Sequence, residues 1–96
     1  MRLKAKRDAN EPLIVDALES HGIKVKRVSH ESLPDLLCGY KKVFFWVECK
    51  MLGEQLTKAQ ERFWSDWDGY PIYIAYSVDH ALAIAKGYRR KSCQSK

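Results

Sequence analysis

Val43-Phe44-Phe45-Trp46-Val47-Glu48-Cys49-Lys50 is an apolar run that ends in charge. Five consecutive β-favouring residues read as a strand covered on both faces. Glu48 and Lys50 at its end are two positions apart, so strand alternation sends both side chains to one face. A carboxylate and an ammonium placed there are partly desolvated, which is costly without a compensating partner. Asp35 stands thirteen positions before Glu48, inside Pro34-Asp35-Leu36-Leu37. With 36–38 as the preceding strand and 39–42 as a turn, a hairpin brings Asp35 beside Glu48. Two carboxylates meeting at a buried edge repel each other unless a proton or a cation lies between them. A divalent metal is the natural cation, and the lysine beside it points to an anionic substrate or an activated water.

Working outward, the chain reads as α/β. Asn10 is a good N-cap for a helix over 11–21, with Pro12 in its first turn and Gly22 at its end. A strand follows over 23–29, a loop over 30–34, and then the hairpin. Thr57 caps a helix over 58–68 that Gly69 and Pro71 stop. A fourth strand over 72–76 and a last helix over 78–86, capped by Ser77 and ended by Gly87, complete the order αβββαβα. The expected arrangement is a single domain with a mixed central sheet flanked by helices.

Two helices carry polar residues on apolar stripes. On the first, Glu11 falls in the arc of Ile14, Val15 and Leu18, while Asp16 and Glu19 point away. On the second, Gln60 falls in the core arc of Ala59, Phe63, Trp64 and Trp67. Each has a structural explanation. Glu11 suits the positive end of a helix dipole, and Thr57-x-x-Gln60 fits a capping box. Beside an Asp/Glu/Lys cluster, the two together also fit one polar site lined by both helices.

The 96 residues are 46% hydrophobic and include three tryptophans, enough for a modest core. A dimer would help so small a domain. No apolar stretch approaches the roughly 18 residues of a membrane span. The first residues have the cations of a signal peptide without its apolar segment, so a cytoplasmic protein is expected. The three cysteines, Cys38, Cys49 and Cys93, form no C-x-x-C pair, and the histidines stand at no zinc-ligand spacing. Cys38 and Cys49 read as small core hydrophobes, and Cys93 as an exposed thiol.

Charge is unevenly placed behind the net +5. Residues 1–7 carry Arg2, Lys4, Lys6 and Arg7, and residues 86–96 carry Lys86, Arg89, Arg90, Lys91 and Lys96, with no anion in either segment. The body between them holds eight cations and all 12 carboxylates, a net −4. Basic ends on an acidic body suit a protein that grips a polyanion around metal-binding carboxylates, although terminal cations also serve solubility alone.

Pro34-Asp35, twelve intervening residues, and Glu48-Cys49-Lys50 resemble the PD-(D/E)xK motif of restriction-endonuclease-like nucleases. More particularly, the chain resembles the VRR-NUC family, including its small stand-alone phage members. The elements in order are Glu11 in the first helix, Pro34-Asp35-Leu36-Leu37, Glu48-Cys49-Lys50, Gly53, and Leu56-Thr57-Lys58-Ala59-Gln60. Relatives have glycine-rich sequence just before the PD, where this chain has His30-Glu31-Ser32-Leu33.

The resemblance implies a Mg²⁺- or Mn²⁺-dependent DNA endonuclease in a bacterial or phage-infected cell. Asp35, Glu48 and the Cys49 backbone carbonyl would hold the metal, and Glu11 a second metal or a water. Lys50 would orient or deprotonate the attacking water, and Gln60 would position a water or the scissile phosphate. Arg2, Lys4, Lys6, Arg7, Lys58, Arg89, Arg90 and Lys91 are the candidate DNA contacts. So small a chain has little room for a base-reading module, which favours structure-selective cutting of branched DNA such as a Holliday junction by a homodimer. The other readings are a general nickase or repair exonuclease, and a non-catalytic nucleic-acid-binding protein of the same fold. A buried Asp/Glu/Lys cluster kept only for stability would bring little net gain.

Overall fold

Four strands form one mixed sheet in a computed structural model that describes residues 8–88. Along the chain come α1 (Glu11–Ser20), β1 (Lys24–Arg27), β2 (Leu36–Tyr40), β3 (Val43–Cys49), α2 (Lys58–Asp66), β4 (Ile72–Ala75) and α3 (Val78–Ala83). The stretch Ile84–Tyr88 continues from α3 and is kinked at Gly87, whose backbone is non-helical at φ 131°. The order αβββαβα and the mixed sheet between helices are as the sequence predicts. The strands lie β1-β2-β3-β4, antiparallel among the first three and parallel between β3 and β4. The apolar run is thus an inner strand, hydrogen-bonded on both sides.

Alternation along β3 sends Phe45, Val47 and Cys49 to one face, where all three are fully buried. Ile14 and Leu18 of α1, Leu36 and Cys38 of β2, Tyr73 and Ala75 of β4, and Ala81 of α3 join them in one core. Burying each large aliphatic or aromatic side chain contributes about 1.5–3 kcal/mol. A Schellman motif closes α1: Ile23 N–H reaches Leu18 O at 3.0 Å and Gly22 N–H reaches Glu19 O at 3.0 Å. Gly22 turns the chain at φ 82°, a left-handed value that glycine adopts without strain. Ile23, expected in the strand, instead packs back under the helix end.

Three local expectations need correction. The hairpin turn is not 39–42: Tyr40 pairs with Val43, so only Lys41 and Lys42 make the turn. Both have positive φ, 51° and 67°, as a type I′ turn requires. Asn10 makes no side-chain cap on α1. On α2 only Gln60 is buried. Phe63 and Trp64 are half-buried and Trp67 is 45% exposed, since no layer among the described residues lies beyond that helix. No helix among the described residues is long and apolar enough to cross a membrane.

Candidate active site

The hairpin does what the spacing predicts. Leu36 pairs with Val47, so Asp35 lies opposite Glu48 at the end of the ladder. Both carboxylates are buried, as are Lys50 and Gln60. Asp35 Oδ2 accepts the Cys49 N–H at 2.8 Å, tying the carboxylate to the backbone between Glu48 and Lys50. Lys50 Nζ lies 3.7 Å from Glu48 Oε2. The same oxygen accepts from Gln60 Nε2 at 2.8 Å.

Gln60 fills both roles open to it. Its backbone N–H donates to Thr57 Oγ1 at 3.2 Å, and its Oε1 accepts the Thr57 N–H at 2.9 Å. The capping box therefore uses the amide oxygen and leaves Nε2 for Glu48. The cap fixes the side chain that touches the site, so α2 enters with its first turn already oriented.

Asn10 was missed as a site residue. Its Nδ2 donates to Lys50 O and to Tyr76 O, each at 3.2 Å. Lys50 N–H in turn donates to Ala75 O at 3.1 Å. The Lys50 main chain is thereby held on both sides, by β4 and by the residue that begins α1. An asparagine one residue before Glu-Pro looks like a helix cap in sequence, which hid this use.

Glu11 is fully buried, as its place on the apolar stripe implies. Arg27 of β1 accompanies it, with Nε 3.4 Å from Glu11 Oε2. Burial pushes the Cys49 thiol well above its usual range, and the charges of Asp35, Glu11 and Glu48 push it further. Among the described residues, no three His, Cys, Asp or Glu side chains converge closely enough to cage an ion. The oxygen donors that do meet are Asp35 and Glu48, with the Cys49 main chain between them.

A cleft of about 390 Å³ opens beside Lys50, walled by Gly53, Glu54, Leu56, Ile74 and Tyr76. Asp8 and Glu54 stand near it and were also missed. Burial raises the Asp8 carboxyl, and the charge of Glu54 and a hydrogen bond to it raise it further. Asp35 adds to the rise and Lys50 opposes it. Glu54 beside Gly53 was the available signal, an acid in the short loop between the E-x-K and the Thr-x-x-Gln helix. Lys58 is exposed at the first turn of α2. Arg2, Lys4, Lys6, Arg7, Arg89, Arg90 and Lys91 lie outside the described residues.

No family model and no curated protein matches the sequence. Among solved structures, the chain is similar to one described as a VRR_NUC domain, with a TM-score of 0.67 and 21% identity. The match covers 84% of this chain and 99% of that one. At that identity the likeness establishes the fold. This chain has the VRR-NUC fold, a restriction-endonuclease-like α/β sheet flanked by helices, as the order of its motifs anticipates.

Proposed function

We propose that the chain is a metal-dependent nuclease that hydrolyses DNA phosphodiester bonds, prefers branched DNA such as a Holliday junction, and works as a homodimer. One observation carries the nuclease reading. Asp35, the Glu48/Lys50 pair and Gln60, separate in sequence, come together in one buried group at the end of β3 with a cleft beside Lys50.

The donor set fits a hard cation. Two carboxylates and a main-chain carbonyl are all oxygen, and Mg²⁺ or Mn²⁺ needs few protein ligands because it keeps several waters. Zinc fits poorly. The Cys38 thiol is pushed up to about 12 by burial, and Cys49 lies on the core face. When bound, such an ion would polarise the phosphoryl group and lower the pKa of a water. Asp35 and Glu48 hold it. Lys50 offsets charge at phosphorus and orients or deprotonates the attacking water. Gln60 keeps the Glu48 carboxylate in one orientation, and Asn10 fixes the main chain that carries Lys50. Glu11, buried beside Arg27, would hold a second metal or a metal-bound water.

Half-buried Trp46 beside exposed Trp67 and Tyr70 favours the dimer, since aromatic surface of this kind commonly marks an interface. Paired sites related by a two-fold axis would then meet two strands of a junction.

The test is a cleavage panel of plasmid, single-stranded, flap and four-way-junction DNA in Mg²⁺, Mn²⁺, Ca²⁺ or EDTA. Cleavage is expected in Mg²⁺ and at least equally in Mn²⁺, fastest on the junction, with binding but no turnover in Ca²⁺. Activity surviving EDTA would rule the metal out. Equal rates on linear and branched DNA would remove the junction preference.

A further inference from the structure

The sheet face that carries Glu48 continues away from the active site. Alternation and register place Phe44, Trp46 and Glu48 of β3 on it, beside Leu37 and Gly39 of β2 and then Lys24 and Lys26 of β1. α2 reaches this face at Glu48. At the far end lies a concavity of about 380 Å³ whose floor is mostly apolar, with Gly39, Tyr40 and Phe44 among its residues, and whose described walls carry three cations, Lys24, Lys41 and Lys42, and no carboxylate. Gly39 forms part of the floor. A Cβ there would meet nothing nearer than Lys24 Cβ at 3.9 Å, so the missing side chain leaves room rather than relieving a clash.

The turn supplies an independent observation. Lys41 and Lys42 both occupy left-handed backbone, at φ 51° and 67°, which costs a residue with a Cβ about 1–2 kcal/mol. Asn-Gly would form the same turn without that strain. The Lys41 ammonium over the Tyr40 ring, 5.4 Å from its centroid, returns about 0.5–1 kcal/mol at an exposed site. Lysines on an edge strand also discourage edge-to-edge pairing. That use requires neither a concavity nor two strained lysines at the tip.

We infer that this lysine-lined concavity is a second contact for the DNA backbone, holding phosphates of an arm that runs along the sheet from Glu48. The inference rests on the nuclease reading above and adds a binding surface to it. β3 has seven residues, which at ~3.3 Å each put the turn about 20 Å from the active site. About six base pairs of duplex span that distance.

The test replaces Lys41→Asn with Lys42→Gly, and separately Lys24→Gln. Thermal unfolding is read by circular dichroism, and affinity for a labelled four-way junction by anisotropy in Ca²⁺ over a salt series. The Asn-Gly turn should raise the unfolding temperature, because it relieves the strain. It should nevertheless weaken binding about tenfold at 0.1 M salt and lower the slope of log affinity against log salt by about 1.8, two phosphate contacts. Lys24→Gln should lower the slope by about 0.9. If the native chain binds the junction and the Asn-Gly variant binds with the same affinity and slope, the inference is overturned and the nuclease reading stands. A native chain that binds no DNA overturns both.

Discussion

Gln60 joins two jobs that the sequence presents as alternatives. Its oxygen belongs to the capping box and its nitrogen to Glu48. Substitution can separate them. Thr57→Ala removes the partner of the Gln60 backbone alone, so it should cost about 1 kcal/mol of stability and leave cleavage nearly intact. Gln60→Ala should cost a similar amount and also slow cleavage about 10- to 100-fold, as loss of a group that orients a ligand does. Equal activity in the two variants would confine Gln60 to the cap. The cysteines give a second check. Burial raises both core thiols, Cys38 to about 12, so each stays protonated at ordinary pH. Iodoacetamide at pH 8 should label neither until the chain unfolds, as read by mass spectrometry of peptides. Labelling of Cys49 in the folded protein would contradict the packing of β3. Asp35, Glu48 and Lys50 were legible because two short motifs fix their spacing. Asn10 was not, since its partners, Lys50 O and Tyr76 O, come from distant parts of the chain.

At the scale of elements, β3 organises the molecule. Phe45 at its centre is fully buried, and Phe45→Ala should cost about 3–5 kcal/mol. Because β3 also places Glu48 and Lys50, activity should fall with the folded fraction in a chemical-denaturation series. A loss under 1 kcal/mol would mean that the central strand is misassigned. The run of five apolar residues made β3 readable without any partner in view. The turn was not readable in the same way. Gly39 is a common turn residue, yet the register seats it inside β2 opposite Phe44 and leaves the bend to Lys41 and Lys42. α2 shows the opposite limit. Its apolar stripe predicts a buried face, but burial depends on what lies across from it, and Trp67 is left 45% exposed.

At the scale of the whole molecule, the exposed aromatics and the charged ends set the expectations. Sedimentation at tens of micromolar should give twice the 11.2 kDa chain mass, and Trp67→Glu should shift it to the monomer. A native monomer that still resolves junctions would overturn the dimer. Deleting residues 1–7 or 88–96 should weaken binding to every DNA shape and flatten the salt dependence by about 0.9 per lost phosphate contact. Unchanged binding at every salt would make the arms solubility tails. In the proposed mechanism Asp35 and Glu48 together would hold the ion that cleavage needs. Glu48→Gln keeps the size of the side chain and an oxygen for Gln60, which makes it the most direct probe. Cleavage of a labelled four-way junction in Mn²⁺ should fall at least about 10²-fold in Glu48→Gln, with unfolding temperature and junction binding largely retained. Cleavage by that variant at the native rate would mean that Glu48 holds no ion needed for the reaction.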